Sequence, residues 1–340
     1  MNFILLKLKS FSRSFVLRTK SPDFERSMVI RMENQNIVLT KEMFARVGVN
    51  EQQSEKVARP SISYWQDAWR RLKQNKVAMI SMGFLIFVIL MCIFAPYIYP
   101  HSYDEQNLAY TNQGSTVQHI FGLDDLGRDI FARIWVGGRV SLSIGLVGAV
   151  ISLAVGVIYG GISGYFGGVI DDVMMRIVEV LVGIPYMVVV ILVSIVLGKG
   201  MVSLIIALCI TSWTGLARLV RGQVLNLMEC EYILAAKALG TPTFKIILKH
   251  LLPNILSIII VNTTFTIPGF IFSEAFLSFI GMGIQPPNTS WGAMAALGQQ
   301  QMSYYPHELL FPAAAISLTM LAFNLLGDGL RDAFDPKLRQ

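Results

Sequence analysis

Charge is what this sequence has least of. Asp, Glu, Lys and Arg make up 15% of its 340 residues, where soluble domains carry about 25%. A chain this poor in charge cannot cover a water-facing globule, which points to lipid as its solvent. Cysteine is scarce as well. Cys92 and Cys209 lie inside apolar runs and Cys230 in a polar stretch. Their spacing fits neither a disulfide framework nor a metal ligand set, so they read as small apolar fillers. The four histidines (His101, His119, His250, His307) are scattered. No cluster of catalytic or metal-ligating residues appears, and the chain is not expected to be an enzyme. A phosphate-binding loop is missing too: Gly198-Lys199-Gly200 lacks the Ser or Thr that should follow the lysine. Energy for any transport must come from a partner or an ion gradient.

Apolar sequence is what the chain has in abundance. It is 54% hydrophobic, with a mean hydropathy of +0.55. Apolar runs near the ~20 residues needed to cross a bilayer occur at about 77–98, 140–162, 177–197, 201–218, 254–280 and 309–327. The expected fold class is therefore an all-α membrane protein with six transmembrane helices. Gly198-Lys199-Gly200 makes a tight hairpin between the third and fourth spans. In the second, Gly156 and Gly160 fall on one helix face and invite another helix to approach closely. The following Gly164-Tyr-Phe-Gly167-Gly168 reads as a turn.

The formal net charge of +6 is not a nucleic-acid signature once mapped. Residues 1–76 hold 15 of the 28 Lys and Arg against seven acids, and the remainder is slightly acidic. With the N-terminus inside, the pieces 1–76, 163–176, 218–253 and 328–340 hold 24 basic residues. The outer pieces hold only Arg128, Arg133, Arg139 and Lys199. This asymmetry predicts that both termini are cytoplasmic. No signal-peptide core precedes Lys7 and Lys9. Residues 1–31 read as a disordered extension, with Met32-Glu-Asn-Gln resembling a natural start. Tyr64-Trp65-Gln-Asp-Ala-Trp69-Arg70-Arg71 predicts an interfacial helix near 62–73 that lies against membrane lipid. The organisation expected is a cytoplasmic extension over 1–76, the first span and outer loop over 77–138, a transmembrane core over 139–330, and a cytoplasmic tail over 331–340.

The loop at 224–253 is the most informative segment. Val224 to Leu239 is rich in helix formers, Gly240 suits a left-handed residue after a helix, and Thr241-Pro242 suits an N-cap and first helical position. A second helix over Thr243–Leu252 should end near Pro253. The result is a helical hairpin with small residues at Ala235, Ala236 and Gly240. It is either a plain connector or a knob that enters a groove on another protein.

Ala235-Ala236-x-x-x-Gly240 followed by Leu252-Pro253 resembles the "EAA" loop of binding-protein-dependent ABC importer permeases. Leu234 stands where that motif has Glu, with Glu231 upstream, and His250 stands where it has Ile. Both departures resemble the oligopeptide and dipeptide permease branch. So do Phe121-Gly-Leu-Asp124-Asp125-Leu-Gly127-Arg128-Asp129-Ile-Phe-Ala-Arg133, Ser163-Gly-Tyr-Phe-Gly-Gly, Ala217-Arg218-x-x-Arg221-Gly222-Gln223, Gln285-Pro286-Pro287-x-x-x-Trp291-Gly292 and Asn324-Leu-Leu-Gly327-Asp328-Gly329-Leu-Arg331-Asp332. Found together in this order, they resemble the C-type subunit of the branch. The resemblance implies a MetI-like permease fold in a bacterial cell membrane. It further implies a second homologous permease, two cytosolic ATPase subunits and an extracytoplasmic solute-binding protein. ATP and Mg would be bound by the partners, with no cofactor in this chain. Glu231, Ala235, Ala236, Gly240, Thr241 and Pro253 would form the ATPase-coupling loop, and oligopeptides or dipeptides would be the solute. A permease for nickel or another small solute in the same family is the alternative, and an ion-driven secondary transporter a more distant one.

Glu274 sits inside the fifth run, where a carboxylate must face protein or water. With Asn262 and Asn324 it is a candidate for lining the translocation path; bonding to a neighbouring helix is the other reading. Pro268-Gly269 suits a kink in the same run. Asp125 to Gly137 predicts an outer surface helix whose apolar stripe is Ile130, Phe131, Ile134 and Trp135.

Overall fold

The structure, a computed structural model, describes residues 28–32, 35–39 and 64–335. The chain divides into two compact units, one to Ile62 and one from Ser63. In the first, strands β1 (Met28–Met32) and β2 (Gln35–Leu39) pair antiparallel, with Val29 opposite Val38 and Ile30 opposite Ile37. Residues 28–31, assigned by sequence to a disordered extension, are thus paired strand, as their β-branched content favours. Residues 1–27 and 336–340 lie outside the described residues.

The second unit is all-helical. Helix α1 (Tyr64–Gln74) falls where a helix is expected near 62–73. It belongs with the membrane unit rather than with the N-terminal extension: its Tyr64 ring stacks on Phe334, and Leu72 is buried with Ala78 and Ala333. Helix α2 (Lys76–Ile98) is the first span, capped by the Asn75 side chain, which accepts from the Ala78 N–H at 3.1 Å. Its 23 residues cover ~34 Å at 1.5 Å per residue, enough for the ~30 Å hydrocarbon layer.

Helix α3 (Ile130–Phe166) departs from expectation at both ends. The surface helix predicted over 125–137 is the first part of the second span itself, starting at Ile130 behind an Asp129 cap. Its stripe does not lie on lipid. Ile130 and Ile134 pack with Met294, and Phe121, Trp135 and Phe311 close around them. At the other end Gly164 is helical, and the break falls at Gly167 (φ +61°).

The run expected to form the third span is interrupted. Helix α4 (Gly168–Gly183) and helix α5 (Tyr186–Leu197) meet at 84°, so among the described residues five helices are long and apolar enough to cross a membrane, or six if this bent pair is one span. The cause is Pro185: it has no N–H to donate and pushes the residue before it out of the helical region. Ile184 is accordingly extended, at φ −91° and ψ 129°.

Helix α6 (Met201–Met228) runs ten residues past the predicted end of its span at 218. The single helix expected over Val224–Leu239 is two: α6 stops at Met228, and α7 (Glu231–Ala238) begins after an extended Cys230. Val224 and Ile233, nine positions apart, would face opposite sides of one straight helix at 100° per residue. The break turns both into the same buried cluster with Ile246, Leu251 and Ile255.

Pro253 does not end the next helix. Helix α8 is continuous over Thr243–Phe279, with a π turn at Ile246–Leu251 just ahead of the proline. The wider turn accommodates a residue that cannot donate, and Asn254 Nδ2 donates to the His250 carbonyl at 2.6 Å. Pro268 also lies inside this helix without breaking it. Helix α9 (Trp291–Gln301) is a short element that the hydropathy pattern does not reveal, and α10 (His307–Phe334) is the last span.

The frame is the contact of α3 with α6. A Cβ on Gly156 would stand 3.0 Å from Leu216 Cβ, one on Gly160 2.2 Å from the Ala217 carbonyl oxygen, and one on Gly164 2.9 Å from the Arg221 carbonyl oxygen. The close approach inferred from Gly156 and Gly160 is therefore present, and it extends one turn further.

Gly160→Ala should destabilise the protein by about 1–3 kcal/mol through overpacking, whereas Gly161→Ala, with nothing within 4 Å of the added carbon, should leave stability unchanged or raised. Thermal unfolding of both variants in one detergent checks the contrast.

Candidate functional site

The 229–254 loop is built as a rigid base with a bare tip. Its base is Ile233, Ile246 and Leu251, at most 1% exposed and buried among α6 and α8 residues. Tyr165, at the end of α3, ties the base to the frame: its hydroxyl donates to Thr243 Oγ1 at 3.1 Å, and the Lys237 ammonium sits 5.2 Å from its ring centroid. Asn254 Nδ2 also donates to the Tyr232 hydroxyl at 3.3 Å.

The tip is set by Gly240. Its φ is +72°, and the Gly240 N–H donates to the Lys237 carbonyl at 2.9 Å while the Thr241 N–H donates to the Ala236 carbonyl at 3.0 Å. This paired pattern is the Schellman turn, which requires a left-handed residue where glycine stands. Thr241 therefore contributes its backbone to the turn. The N-cap role expected of it falls to Pro242, because the extended Pro242 directly precedes Thr243–Lys245. Ala235 and Glu231 are exposed, Ala236 is half-buried and Pro253 is exposed. The tip also presents two large apolar side chains that sequence reasoning missed, Leu239 (85% exposed) and Phe244 (71% exposed). Their exposure could not be read from spacing, since it depends on where Gly240 turns the chain.

Glu274 stands elsewhere and differently. Its carboxylate has no exposed surface. It accepts from Ser141 Oγ (2.9 Å), Ser278 Oγ (2.8 Å) and Ser290 Oγ (2.6 Å). Ser141 Oγ in turn accepts from the Trp291 N–H at 3.1 Å, and Trp291 Nε1 donates to the Ile134 carbonyl at 2.8 Å. Glu274 thus joins α3, α8 and the start of α9, bonding between helices. Asn262 is half-buried and Asn324 exposed. Asn262 lies ~18 Å along the same helix from Glu274 at 1.5 Å per residue, so these two do not cluster.

A third constellation occupies the end of the molecule near Glu274. Arg128 Nε donates to Asp124 Oδ2 at 2.7 Å, and Arg133 Nη2 donates to Thr289 Oγ1 at 3.2 Å. His119 Nδ1 and the Tyr99 hydroxyl both reach Asp129 Oδ2, at 2.8 and 2.9 Å. Burial, reinforced by the Asp129 carboxylate, pushes the Tyr99 phenol above its ordinary range, so it remains a donor. The residues of Phe121–Arg133 that form a motif by sequence are here a folded plug, held by ion pairs that are mostly desolvated.

Two family models match this chain. "Binding-protein-dependent transport system inner membrane component" covers residues 156–340, and "N-terminal TM domain of oligopeptide transport permease C" covers residues 63–114. The chain belongs to the binding-protein-dependent ABC transport permeases, in the oligopeptide/dipeptide branch. Among its relatives is the dipeptide transport system permease protein of Bacillus subtilis, 50% identical over 91% of this chain and 97% of the relative. The oligopeptide transport system permease protein of the same organism is 47% identical over 89% of this chain and 99% of the relative. A glutathione transport system permease protein of Escherichia coli is 44% identical over 81% and 91%. This permease is accordingly a multi-pass inner-membrane transport component of the C type, and its family is one of transporters rather than catalysts.

Glu274→Ala should lower the stability of the permease substantially, because each of three buried serine hydroxyls loses its acceptor at ~1–3 kcal/mol apiece. Glu274→Gln, which keeps an acceptor oxygen, should lose less. Unfolding temperatures of the purified proteins in detergent give the order.

Proposed function

We propose that this permease is one membrane half of an ATP-driven importer that moves oligopeptides or dipeptides into the cell. It pairs with a second homologous permease, two cytosolic ATPases that bind ATP and Mg, and an external solute-binding protein that delivers the solute. The observation that carries this reading is the loop tip: an apolar pair, Leu239 and Phe244, exposed on either side of a glycine turn whose base is fully buried. Exposed side chains of this size on a rigid base are anchors for a protein groove. Ala235, Ala236 and Gly240 leave the approach unobstructed, and Glu231 offers a charge at its edge. The excess of basic residues in the 1–76 and 218–253 segments supports a cytoplasmic position for the loop and for both termini. The relatives' names give peptides as their solutes, which favours a peptide here over nickel.

A space-filling change at the turn separates docking from folding. Nothing lies within 4 Å of a Cβ on Gly240, so Gly240→Trp meets no atom of its own chain there, although its left-handed backbone costs roughly 1–2 kcal/mol. Gly240→Trp should insert into membranes normally and lose transport-coupled ATP hydrolysis in the reconstituted complex. Unimpaired coupling overturns the reading. Leu239→Asp combined with Phe244→Asp should remove the ATPase subunits from co-purification while leaving the second permease bound.

A further inference from the structure

Two motifs that sequence reading treats as separate, Ser163-Gly-Tyr-Phe-Gly-Gly and Arg218-x-x-Arg221, meet on a residue belonging to neither. Arg221 of α6 donates through Nε to Asp171 Oδ1 and through Nη2 to Asp171 Oδ2, both at 2.5 Å. Ser163 Oγ of α3 donates to the same Asp171 Oδ1 at 2.5 Å. A fork-to-carboxylate pair of this kind fixes angle as well as distance. Asp171 lies in the first turn of α4, the near half of the broken span.

Within this single chain, apart from its direct link to α3 through Gly167, helix α4 buries few side chains. Of its sixteen residues only Asp171 and Val178 are buried, while Val169, Ile170, Val173, Ile177 and Val180 are exposed. Its other polar tie is the Tyr159 hydroxyl, which donates to the Met174 carbonyl at 2.9 Å. At its far end the extended Ile184-Pro185 joint interrupts the helical ladder, so α4 can swing without deforming α5. Arg221, by contrast, stands on the frame. Its neighbours Val220 and Val224 share the buried cluster of Ile233 and Ile246 at the base of the coupling loop, and its own backbone abuts Gly164.

We propose that the Asp171–Arg221 pair, steadied by Ser163, is the positioning link through which the broken span follows the coupling loop. Movement delivered to the loop reaches α3 and α6 through packed side chains, but reaches α4 chiefly through this one clamp. Without it the ATPases would still dock and turn over, while α4 would fail to move with them. The inference rests on the coupling role proposed above for the loop.

The test uses the whole complex, both permeases with the ATPases and binding protein, in proteoliposomes with tri-alanine as the probe. Asp171→Asn should leave ATP hydrolysis within about twofold of the parent and reduce tri-alanine uptake roughly five- to hundredfold, the range of typical coupling energies. Arg221→Lys, which keeps the charge but loses the fork, should recover part of the uptake. Spin labels at Ile177→Cys and Lys249→Cys, with the native cysteines replaced, report the link directly. The parent should hold one narrow α4–loop distance with and without ATP and Mg, and Asp171→Asn should broaden it. Should Asp171→Asn fail to assemble, Ser163→Ala removes one hydrogen bond and should shift uptake and the distance distribution the same way to a smaller degree. Hydrolysis and uptake falling in parallel with a narrow distance overturns the proposal, as does parental behaviour of all three variants. Gly240→Trp run alongside distinguishes the two ideas: if it too keeps coupling, the loop reading has failed, and if it alone uncouples, only the link has failed.

Discussion

The architecture rests on two helix backbones touching where side chains are missing. Gly156, Gly160 and Gly164 let α3 approach Leu216, Ala217 and Arg221 of α6 to within a carbon's width. In a membrane there is no hydrophobic gain from pulling helices together, because lipid tails are as apolar as leucine. Association depends on close van der Waals contact and on polar groups that bond across the seam. The glycines supply the first, and bonds made by Ser141 and Ser163 toward the two ends of α3 supply the second.

Those two ends are chemically distinct. At one, a carboxylate is held by three serines: Glu274 gathers Ser141, Ser278 and Ser290 and thereby joins α3, α8 and α9. At the other, a carboxylate is held by an arginine and a serine: Asp171 gathers Arg221 and Ser163. The Glu274 cage is fully enclosed, so it fixes one arrangement. Arg221 is one-third exposed in its side chain, beside a helix whose opposite face is bare. A closed cage suits a part that should not move, and an open clamp suits one that does.

Much of this was legible in one dimension. The apolar runs, the helix that carries Trp65 and Trp69, the glycine spacing in the second span and the left-handed role of Gly240 all follow from periodicity or from a single residue's conformational range. They survive because each depends on neighbours within about one helical turn. The loop residues Ala235, Ala236 and Gly240 were identifiable for the same reason, as a local turn between local helices. Leu239 and Phe244 were not, since burial of a leucine or phenylalanine is decided by what packs over it.

By itself, then, the sequence determined that the chain lives in lipid, roughly where it crosses, and which loop carries a left-handed glycine turn. Composition and short-range periodicity are sufficient for each of these. Tertiary structure alone decided that the stripe of Ile130 and Ile134 faces protein instead of lipid, and that Glu274 is locked in a hydroxyl cage. It also brought together Ser163, Asp171 and Arg221, which lie up to 58 positions apart. The physical reason is common to all three: a polar or apolar side chain in a membrane protein is satisfied by whichever helix arrives beside it, and that arrival is a property of the packed bundle.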